Sequence, residues 1–436
     1  MNFQNPGNFP EFGFTKTLVP TQLHRCQPEL CFVSSLVHVH VRRFVGFGTV
    51  KPDAITFDPQ NRWHWMRLRL NREVCKQAAA TLTGETQGKI YPAAQMADEL
   101  TNLLRQTSRS FYLTLRVLPG AIRPQIGLAY LLARTADTIA DTELVPVEQR
   151  LDALKRLRER IQGATTAPLH FGTLAQQQGM PAEAALLGKV EDSLSLLQTL
   201  SPADQQLARA ALTTITGGQE LDLRRFAGAS AEKIIALETV AQLDDYTYRV
   251  AGCVGEFWTK MCRAHLFPKR YMDEAQLLAD GVRFGKGLQL VNILRDLPAD
   301  LKKGRCYLPT DKLEPAGLRP EVLLSPANEA KFRPLFHEYL DRAESHLAAG
   351  WAYTNTLPFG QFRVRLACAW PILIGLKTIE KMRAAGVLEL QQRVKVSRAE
   401  VRGIILRSAL FYPLPRTWKK LFYPAGKAVA SGGKLA

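Results

Sequence analysis

Apolar residues recur every three or four positions along most of the chain, which is the pattern of helices that bury one face. The pattern predicts helices at residues 96–118, 122–141, 147–161, 182–200, 203–226, 231–265, 272–296, 329–356, 362–385 and 398–410. Turn-forming residues such as Pro119-Gly120 and Pro358-Phe359-Gly360 separate some of them. Strands do not alternate with these helices, and no fixed-length repeat is visible. The sequence therefore predicts an all-α fold, a helical bundle.

The first 95 residues lack this periodicity, although they hold four of the eight histidines and three of the seven cysteines. A metal site there could draw on His24, Cys26, Cys31, His38 and His40, but their spacings match no common zinc pattern. We expect residues 1–95 to be a disordered N-terminal extension. Residues 96–410 should form the helical domain, and residues 411–436 a basic, aromatic C-terminal tail.

The composition is that of a folded and strongly basic protein. Of its 436 residues 46% are hydrophobic, and 57 Lys and Arg against 40 Asp and Glu give a formal net charge of +17. A mainly disordered chain is excluded, and no run of about 18 apolar residues predicts a transmembrane helix. Scattered cysteines without a secretory signal predict free thiols in the cytoplasm. The positive charge suits nucleic acid, an anionic membrane surface or a phosphorylated substrate.

The charged side chains at the end of the chain are all basic. Residues 401–436 contain seven basic residues and no acidic one. Interleaved with them are the aromatic residues Phe411, Tyr412, Trp418, Phe422 and Tyr423. This composition suits the headgroup layer of an anionic membrane, so one expectation is peripheral association with the inner face of the cytoplasmic membrane. The other expectation is a solvated, frayed terminus.

Two aspartates, Asp137 and Asp141, lie four positions apart in a predicted helix. At this spacing both carboxylates project from one face, with Arg134 about one turn before them. Two carboxylates so placed repel each other unless a cation lies between them. Such a pair alone is weak evidence, because it also occurs on solvated helix faces.

A second pair, Asp296 and Asp300, has the same spacing, with Gln289 and Asn292 on the same predicted face. Pro298 should kink or end this helix, which places Asp300 in its last turn or just beyond it. Magnesium prefers oxygen ligands and is commonly held by a few carboxylates together with substrate phosphates. Two acidic faces beside basic residues therefore favour ionisation of an allylic diphosphate in a dry helical pocket.

Several segments resemble the motifs of the squalene/phytoene synthase family of head-to-head prenyl transferases. These segments are 108–112 (SRSFY), 132–141 (LARTADTIAD), 246–255 (YTYRVAGCVG), 288–296 (LQLVNILRD) and 304–309 (GRCYLP), with a weaker match at 219–223 (QELDL). The resemblance spans residues 97–384 and leaves residues 1–95 aside. It implies the isoprenoid synthase fold, a single large helical bundle with a central apolar cavity.

The resemblance also implies roles for matching positions. The implied Mg²⁺ ligands are Asp137, Asp141, Asp296 and Asp300. The implied contacts to the diphosphate are Ser108, Arg109, Arg134 and Arg295. Gln289 and Asn292 would line the reaction centre with Tyr130. The tyrosines implied in proton removal or cation stabilisation are Tyr246 and Tyr248, besides Tyr130.

Details of the motifs favour one product. Thr138 in the first pair and the Asp-Leu-Pro-Ala-Asp of the second are similar to bacterial squalene synthases. The resemblance thus implies that two farnesyl diphosphates condense through presqualene diphosphate, which NADPH reduces to squalene. The basic residues expected at the NADPH phosphates are Lys303, Arg305, Arg393 and Lys395. The alternative is a phytoene or dehydrosqualene synthase, which uses no reductant.

Other classes of protein explain less of the sequence. A first-tier prenyl transferase or a terpene cyclase would share the aspartates and magnesium, but not the tyrosine-containing segment at 246–255. A basic helical protein that binds a membrane surface or nucleic acid leaves the aspartate pairs beside arginines unexplained. The charge is not concentrated in one recognition module, so we expect no nucleic-acid partner. The oligomeric state stays open.

Overall fold

The computed structural model describes residues 93–108, 111–388 and 394–422. All of them belong to one compact unit that begins at Thr86. The prediction for residues 1–95 lies almost wholly outside the described residues, and so does the part of the predicted tail at 423–436.

The described chain consists mainly of helices. The α-helices are α1 (Ala93–Thr107), α2 (Phe111–Val117), α3 (Arg123–Asp141), α4 (Val147–Gln162), α5 (Gly172–Gln176), α6 (Pro181–Gly188), α7 (Val190–Thr199), α8 (Pro202–Arg225), α9 (Val240–Thr247), α10 (Cys253–Leu266), α11 (Glu274–Lys302), α12 (Thr310–Leu313), α13 (Glu329–Thr356), α14 (Phe362–Ala384), α15 (Arg398–Phe411) and α16 (Pro415–Lys419). A π-helical turn at Tyr248–Gly252 joins α9 to α10. The strands are β1 (Ile235–Ala236) and β2 (Arg305–Cys306), and three 3₁₀ turns lie at Glu314–Ala316, Pro320–Leu324 and Pro326–Asn328.

The predicted all-α bundle is confirmed, but three predicted helices are divided. Residues 96–118 break at Ser108, and residues 182–200 break at Lys189, between α6 and α7. Residues 231–265 begin with β1 rather than with a helix, and α9 starts only where the Thr239 side chain accepts a hydrogen bond from the Gln242 backbone N–H. In residues 231–265, strand pairing and capping override the helical periodicity.

Helix α11 runs through the centre of the bundle and packs along α13 and α10. It continues past Pro298 to Lys302, so Asp300 lies in its last turn, within the range predicted. The proline removes one backbone donor. The helix nevertheless continues, because burial of Leu294, Leu297 and Leu301 stabilises it on both sides of the proline.

Glycines let α11 approach the π-turn and α10 at backbone distance. A Cβ atom on Gly285 would lie 2.1 Å from the carbonyl oxygen of Ala251. A Cβ on Gly255 would lie 1.9 Å from the carbonyl oxygen of Gly281. Real Cβ atoms never come so close, so only glycine permits this helix contact.

The two short strands fix the segment that follows α11. They pair in parallel, the backbone N–H of Ile235 donating to the carbonyl of Gly304 at 2.8 Å. Gly304 has φ +76°, and a Cβ there would lie 2.2 Å from the Ser230 carbonyl oxygen. Glycine is therefore required at the turn that places Arg305 and Tyr307.

The described part of the predicted tail packs into the bundle. Trp418 and Phe422 are 1% and 3% exposed, and both stack on Trp351. The Trp418 indole N–H donates to Asn355 Oδ1 at 2.9 Å. The expectation of a frayed terminus is wrong for residues 411–422, and these two rings are not available to lipid.

The guanidinium of Arg365 holds this segment. It lies 5.7, 5.4 and 5.8 Å from the ring centroids of Phe359, Tyr412 and Trp418 and donates to Asn355 Oδ1 at 3.0 Å. Three aromatic faces and one amide oxygen thus compensate a buried charge. Among the described residues no helix is both long and apolar enough to cross a bilayer.

Candidate active site

A cavity of ≈ 380 Å³ lies between α2, α3, α8, α10, α11, α13 and α14. Its walls are mostly apolar, with Phe111, Ile126, Trp258, Phe284 and Leu288 among the lining side chains. This size and lining are typical of a site for a small apolar ligand. The predicted central apolar cavity is present.

The lining changes from apolar to polar along two helices. On α3 it runs from Ile126 through Tyr130 and Arg134 to Asp137. On α11 it runs from Gly281 to Gln289 and Asn292. The polar residues lie toward the C-terminal ends of both helices, where the aspartate pairs follow. An elongated ligand with a polar head and an apolar tail fits this gradient.

The first aspartate pair lies at the polar end, where Asp137 is half-buried and Asp141 is exposed. Asp137 Oδ1 accepts a hydrogen bond from Gln219 Nε2 at 2.5 Å, and its Oδ2 lies 3.9 Å from Arg134 Nη1. The Asp137 side chain is 38% exposed toward the cavity, but the surrounding helices keep most of it away from bulk water. Burial, assisted by the Asp141 carboxylate, therefore raises the pKa of Asp137 to about 7 against the effects of Arg134 and Gln219.

The second pair behaves in the same way. Burial and the Asp296 carboxylate raise the pKa of Asp300 to about 7, against the effects of Arg305 and Lys303. Asp296 itself forms a two-point ion pair with Arg295, with distances of 3.0 Å (Nε to Oδ1) and 2.6 Å (Nη2 to Oδ2). Arg295 is thus paired with a carboxylate and does not line the cavity.

Two cations, Lys303 and Arg305, act on both aspartate pairs. Desolvation by the surrounding protein raises the pKa of Asp141, and the charges of Arg134, Arg305 and Lys303 oppose that rise. Arg305 and Lys303 also oppose the rise in the pKa of Asp300. Lys303 Nζ is 2.9 Å and Arg305 Nη2 is 3.5 Å from Glu143 Oε1. We predicted these residues at a nicotinamide cofactor, whereas their position beside both pairs suits the diphosphate group of a substrate.

The predicted tyrosines lie in three different environments. Tyr130 lines the cavity and stacks on Phe111 with the ring centroids 4.9 Å apart. Tyr246 is buried behind the lining and stacks at 4.7 Å on Tyr307. The Tyr307 hydroxyl donates at 2.9 Å to Asp222, whose pKa burial raises to about 6. Tyr307 and Asp222 therefore fix the position of Tyr246.

Tyr248 does not line the cavity, contrary to its predicted place at the reaction centre. Its hydroxyl donates to Glu256 at 3.2 Å, and the Lys286 ammonium lies 5.8 Å from its ring centroid. It is the first residue of the π-helical turn, where the number of residues per turn changes. Val250 and Ala251 of this turn face the cavity instead.

The other residues predicted to contact the diphosphate or NADPH do not line the cavity or lie outside the described residues. Ser108 is buried just after α1, and its hydroxyl donates to the Leu104 carbonyl; its contact with the diphosphate stays a prediction. Lys395 is exposed, and its backbone carbonyl accepts from Lys381. Arg109 and Arg393 lie outside the described residues.

Partners of the predicted residues were missed from the sequence. Glu183 pairs with Arg134, Gln219 with Asp137, and Glu143 with both cations after α11. Gln219 lies in the weak motif at 219–223, which was the available signal. Glu183 and Glu143 carried none, because their partners are distant in the sequence.

The aspartates on α3 and α11 could bind Mg²⁺ only as two separate pairs of carboxylates. No group of three or more His, Cys, Asp and Glu side chains within the described ranges could hold a metal by itself. Magnesium keeps several waters and shares its coordination with phosphate oxygens, so two carboxylates for each ion suffice. Asp137, Asp141 and Asp300 fit this role, and Asp296 joins them if Arg295 moves onto the diphosphate.

The raised pKa values predict how the ligand-free protein responds to pH. The pKa of Asp300 is about 7 in the folded protein and about 4 in the unfolded chain. Between about pH 4 and pH 7 the folded state therefore binds more protons, and the free energy of unfolding falls as the pH rises. Asp300→Asn should therefore raise the melting temperature more at about pH 8 than at about pH 5. Thermal unfolding of both proteins at both pH values measures this. An equal difference at the two pH values contradicts it.

Known proteins resemble the chain at the levels of sequence and fold. The family described as squalene/phytoene synthase matches residues 104–400. A bifunctional lycopene cyclase/phytoene synthase of Gibberella fujikuroi is 30% identical over 291 residues, covering 64% of this chain and 47% of the relative. Its counterpart in Colletotrichum graminicola is 32% identical over 269 residues, covering 58% and 43%. The chain thus spans less than half the length of these relatives.

Solved structures share the fold. A ligand complex of TcSQS aligns with a TM-score of 0.62 at 21% identity, covering 77% of this chain and 94% of that one. A ligand complex of a dehydrosqualene synthase aligns with a TM-score of 0.54 at 19% identity, covering 74% and 98%. The predicted isoprenoid synthase fold is confirmed. The aspartates on α3 and α11, the cavity between them and the match over residues 104–400 agree: the chain belongs to the squalene/phytoene synthase family.

Proposed function

We propose that the protein condenses two geranylgeranyl diphosphates head to head to phytoene, without a reductant. A prenyl diphosphate substrate is supported by one observation: the apolar cavity ends at two aspartate pairs, and the charges of Arg305 and Lys303 act on both of them. The relatives named phytoene synthases support this product over squalene, which we had expected from the motifs.

Squalene formation from two farnesyl diphosphates with NADPH is the second candidate. Thr138 between the first two aspartates favours it, as does the Asp-Leu-Pro-Ala-Asp sequence of the second pair. The residues expected to bind NADPH give squalene formation little support. Lys303 and Arg305 pair with Glu143 beside the aspartates, where they would contact a diphosphate instead.

The polar end would bind the diphosphate and assist its departure. Mg²⁺ held by the aspartate pairs would neutralise the diphosphate oxygens and favour cleavage of the allylic C–O bond. Arg134, Arg305 and Lys303 act electrostatically on the same aspartates and would contact the diphosphate oxygens and hold the released pyrophosphate. Gln289 and Asn292 line the wall opposite α3 and would orient the head of the second substrate.

The apolar walls would protect the allylic cation from water. Phe111, Tyr130 and Trp258 offer aromatic faces at the cavity surface, and such faces stabilise positive charge. An enclosed apolar wall also prevents capture of the cation by solvent. Tyr246, which is fixed by Tyr307, does not line the cavity, but it lies in the motif for which the resemblance implies proton removal or cation stabilisation.

Product analysis tests the proposal. Purified protein with Mg²⁺ is incubated with geranylgeranyl or farnesyl diphosphate, each with and without NADPH, and the hydrocarbons are identified. Phytoene from geranylgeranyl diphosphate, unchanged by NADPH, is the expected result. Squalene that requires NADPH selects the second candidate. Failure to form a head-to-head product from either substrate rejects both.

A further inference from the structure

Three leucines in a row lie exposed on α15 and the turn after it. Leu406, Leu410 and Leu414 are 62%, 65% and 54% exposed. Leu406 and Leu410 are one turn apart, on the side of α15 opposite to the buried Ile404 and Ser408. Single exposed leucines are ordinary, but a row of them forms a face without a partner among the described residues.

Two other exposed side chains, Phe359 and Phe362, lie beside this segment but not in the leucine row. They are 54% and 45% exposed, and their ring centroids lie 4.9 and 6.3 Å from that of Tyr412. Tyr412 follows Leu410 by two positions and therefore lies on the opposite side of α15. We define the docking face as Leu406, Leu410 and Leu414.

Basic residues accompany the docking face. The exposed basic residues of the same segment are Arg402, Arg407, Arg416, Lys419 and Lys420. No acidic residue occurs between positions 401 and 422. The nearest acid, Glu400, is bonded to Lys381 and to the backbone N–H of Ser397. An apolar centre with a positive rim complements an anionic lipid surface.

The face is held rigidly outward. Ser397 and Glu400 form a reciprocal cap at the start of α15. Near its end, Trp370 Nε1 donates to the buried Ser408 hydroxyl at 3.0 Å. A helix fixed at both ends cannot turn its leucines inward, so their exposure is a property of the folded protein.

We propose that the docking face seats the protein on the surface of an anionic bilayer, with its leucines at the acyl-chain boundary and the neighbouring basic residues among the headgroups. Reversible membrane binding commonly needs such a combination of apolar and electrostatic attraction. A second copy of the chain is a poorer occupant, because it would bring two positive rims together. The leucines of the docking face are not the aromatic residues that the sequence suggested for membrane contact. Of those aromatic residues, Trp418 and Phe422 are buried in the bundle.

Vesicle flotation of the purified full-length chain tests this assignment. The probes are vesicles of phosphatidylcholine alone and of phosphatidylcholine with about a quarter phosphatidylglycerol. We expect the protein to float with the anionic vesicles and to be released by salt. The double variant Leu406→Glu/Leu410→Glu should weaken this binding at least about tenfold. Arg416→Gln/Lys419→Gln should reduce the preference for anionic lipid.

Tyr271→Glu is the control for placing a carboxylate at an exposed apolar side chain, because Tyr271 is 99% exposed and belongs neither to α15 nor to the turn after it. It should bind as the unchanged protein does, and all variants should keep the melting temperature. Wild-type protein that ignores anionic vesicles, or a leucine double variant that binds equally well, overturns the proposal. A wild-type dimer that the double variant converts to a monomer in ultracentrifugation also overturns it, by assigning the face to a second copy. The assay needs no turnover, so its outcome is independent of the proposed function.

Discussion

Asp137→Asn should lower kcat for product formation by about 10³-fold or more while the protein stays folded, because removing a group that stabilises developing charge has effects of this order. The change keeps the shape of the side chain and its contact with Gln219. It removes one of the paired negative charges needed to hold a cation against the diphosphate. Because burial and Asp141 destabilise the Asp137 carboxylate, the variant should melt no lower than the wild type. Steady-state kinetics at saturating Mg²⁺ and thermal unfolding measure the two effects.

Asp152→Asn is the matched control. Asp152 pairs with Arg156 at 2.9 Å on the surface of α4, in a helical i, i+4 arrangement. It should change neither kcat nor the melting temperature appreciably, because exposed pairs contribute little. Wild-type turnover in Asp137→Asn would reject the cation-binding role of the first pair.

Gly285→Ala should destabilise the protein by about 3 kcal/mol or more, at the upper end of what overpacking costs. The added methyl group would lie 2.1 Å from the Ala251 carbonyl oxygen and 3.0 Å from the Gly252 Cα, both backbone atoms. Neither can swing aside as a side chain could, so α11 would have to separate from the π-turn. Both elements line the cavity, and activity should fall with stability. Chemical denaturation and a product assay on the same sample measure this.

Gly217→Ala provides the comparison, because it lies inside α8 with no atom within 4 Å of an added Cβ. Alanine is the better helix former, so this change should be neutral or stabilising by up to about 1 kcal/mol. If both substitutions cost the same, the close approach of α11 to the π-turn does not hold the bundle together.

The sequence predicted what depends on local spacing. Helical periodicity indicated the bundle, because burial of one helix face imposes that period regardless of what covers it. The i, i+4 spacing placed Asp137 beside Asp141 and Asp296 beside Asp300 on their helices, and each pair is where that spacing predicted. The helical period of about 3.6 residues also explains which residues of α3 and α11 face the cavity.

Features that depend on distant partners could not be predicted. Pairing of β1 with β2 converts a predicted helical segment into a strand, and the partner lies at Arg305 and Cys306. The π-turn changes the direction of Tyr248, which a constant helical period cannot show. Arg295 and Asp296 are adjacent in sequence, yet their pairing away from the cavity depends on how α11 packs.

The enclosed guanidinium of Arg365 also constrains the order in which a newly made chain can finish folding. Asn355 and Arg365 leave the ribosome first, whereas Trp418 follows Asn355 by 63 positions. Until Tyr412 and Trp418 emerge, the face of Trp351 stays uncovered and the arginine has no aromatic neighbours from this segment. Translation that pauses before this point would leave an apolar surface of the kind that chaperones bind. The turns around Tyr412 and Trp418 therefore close the half of the bundle built on α13 and α14.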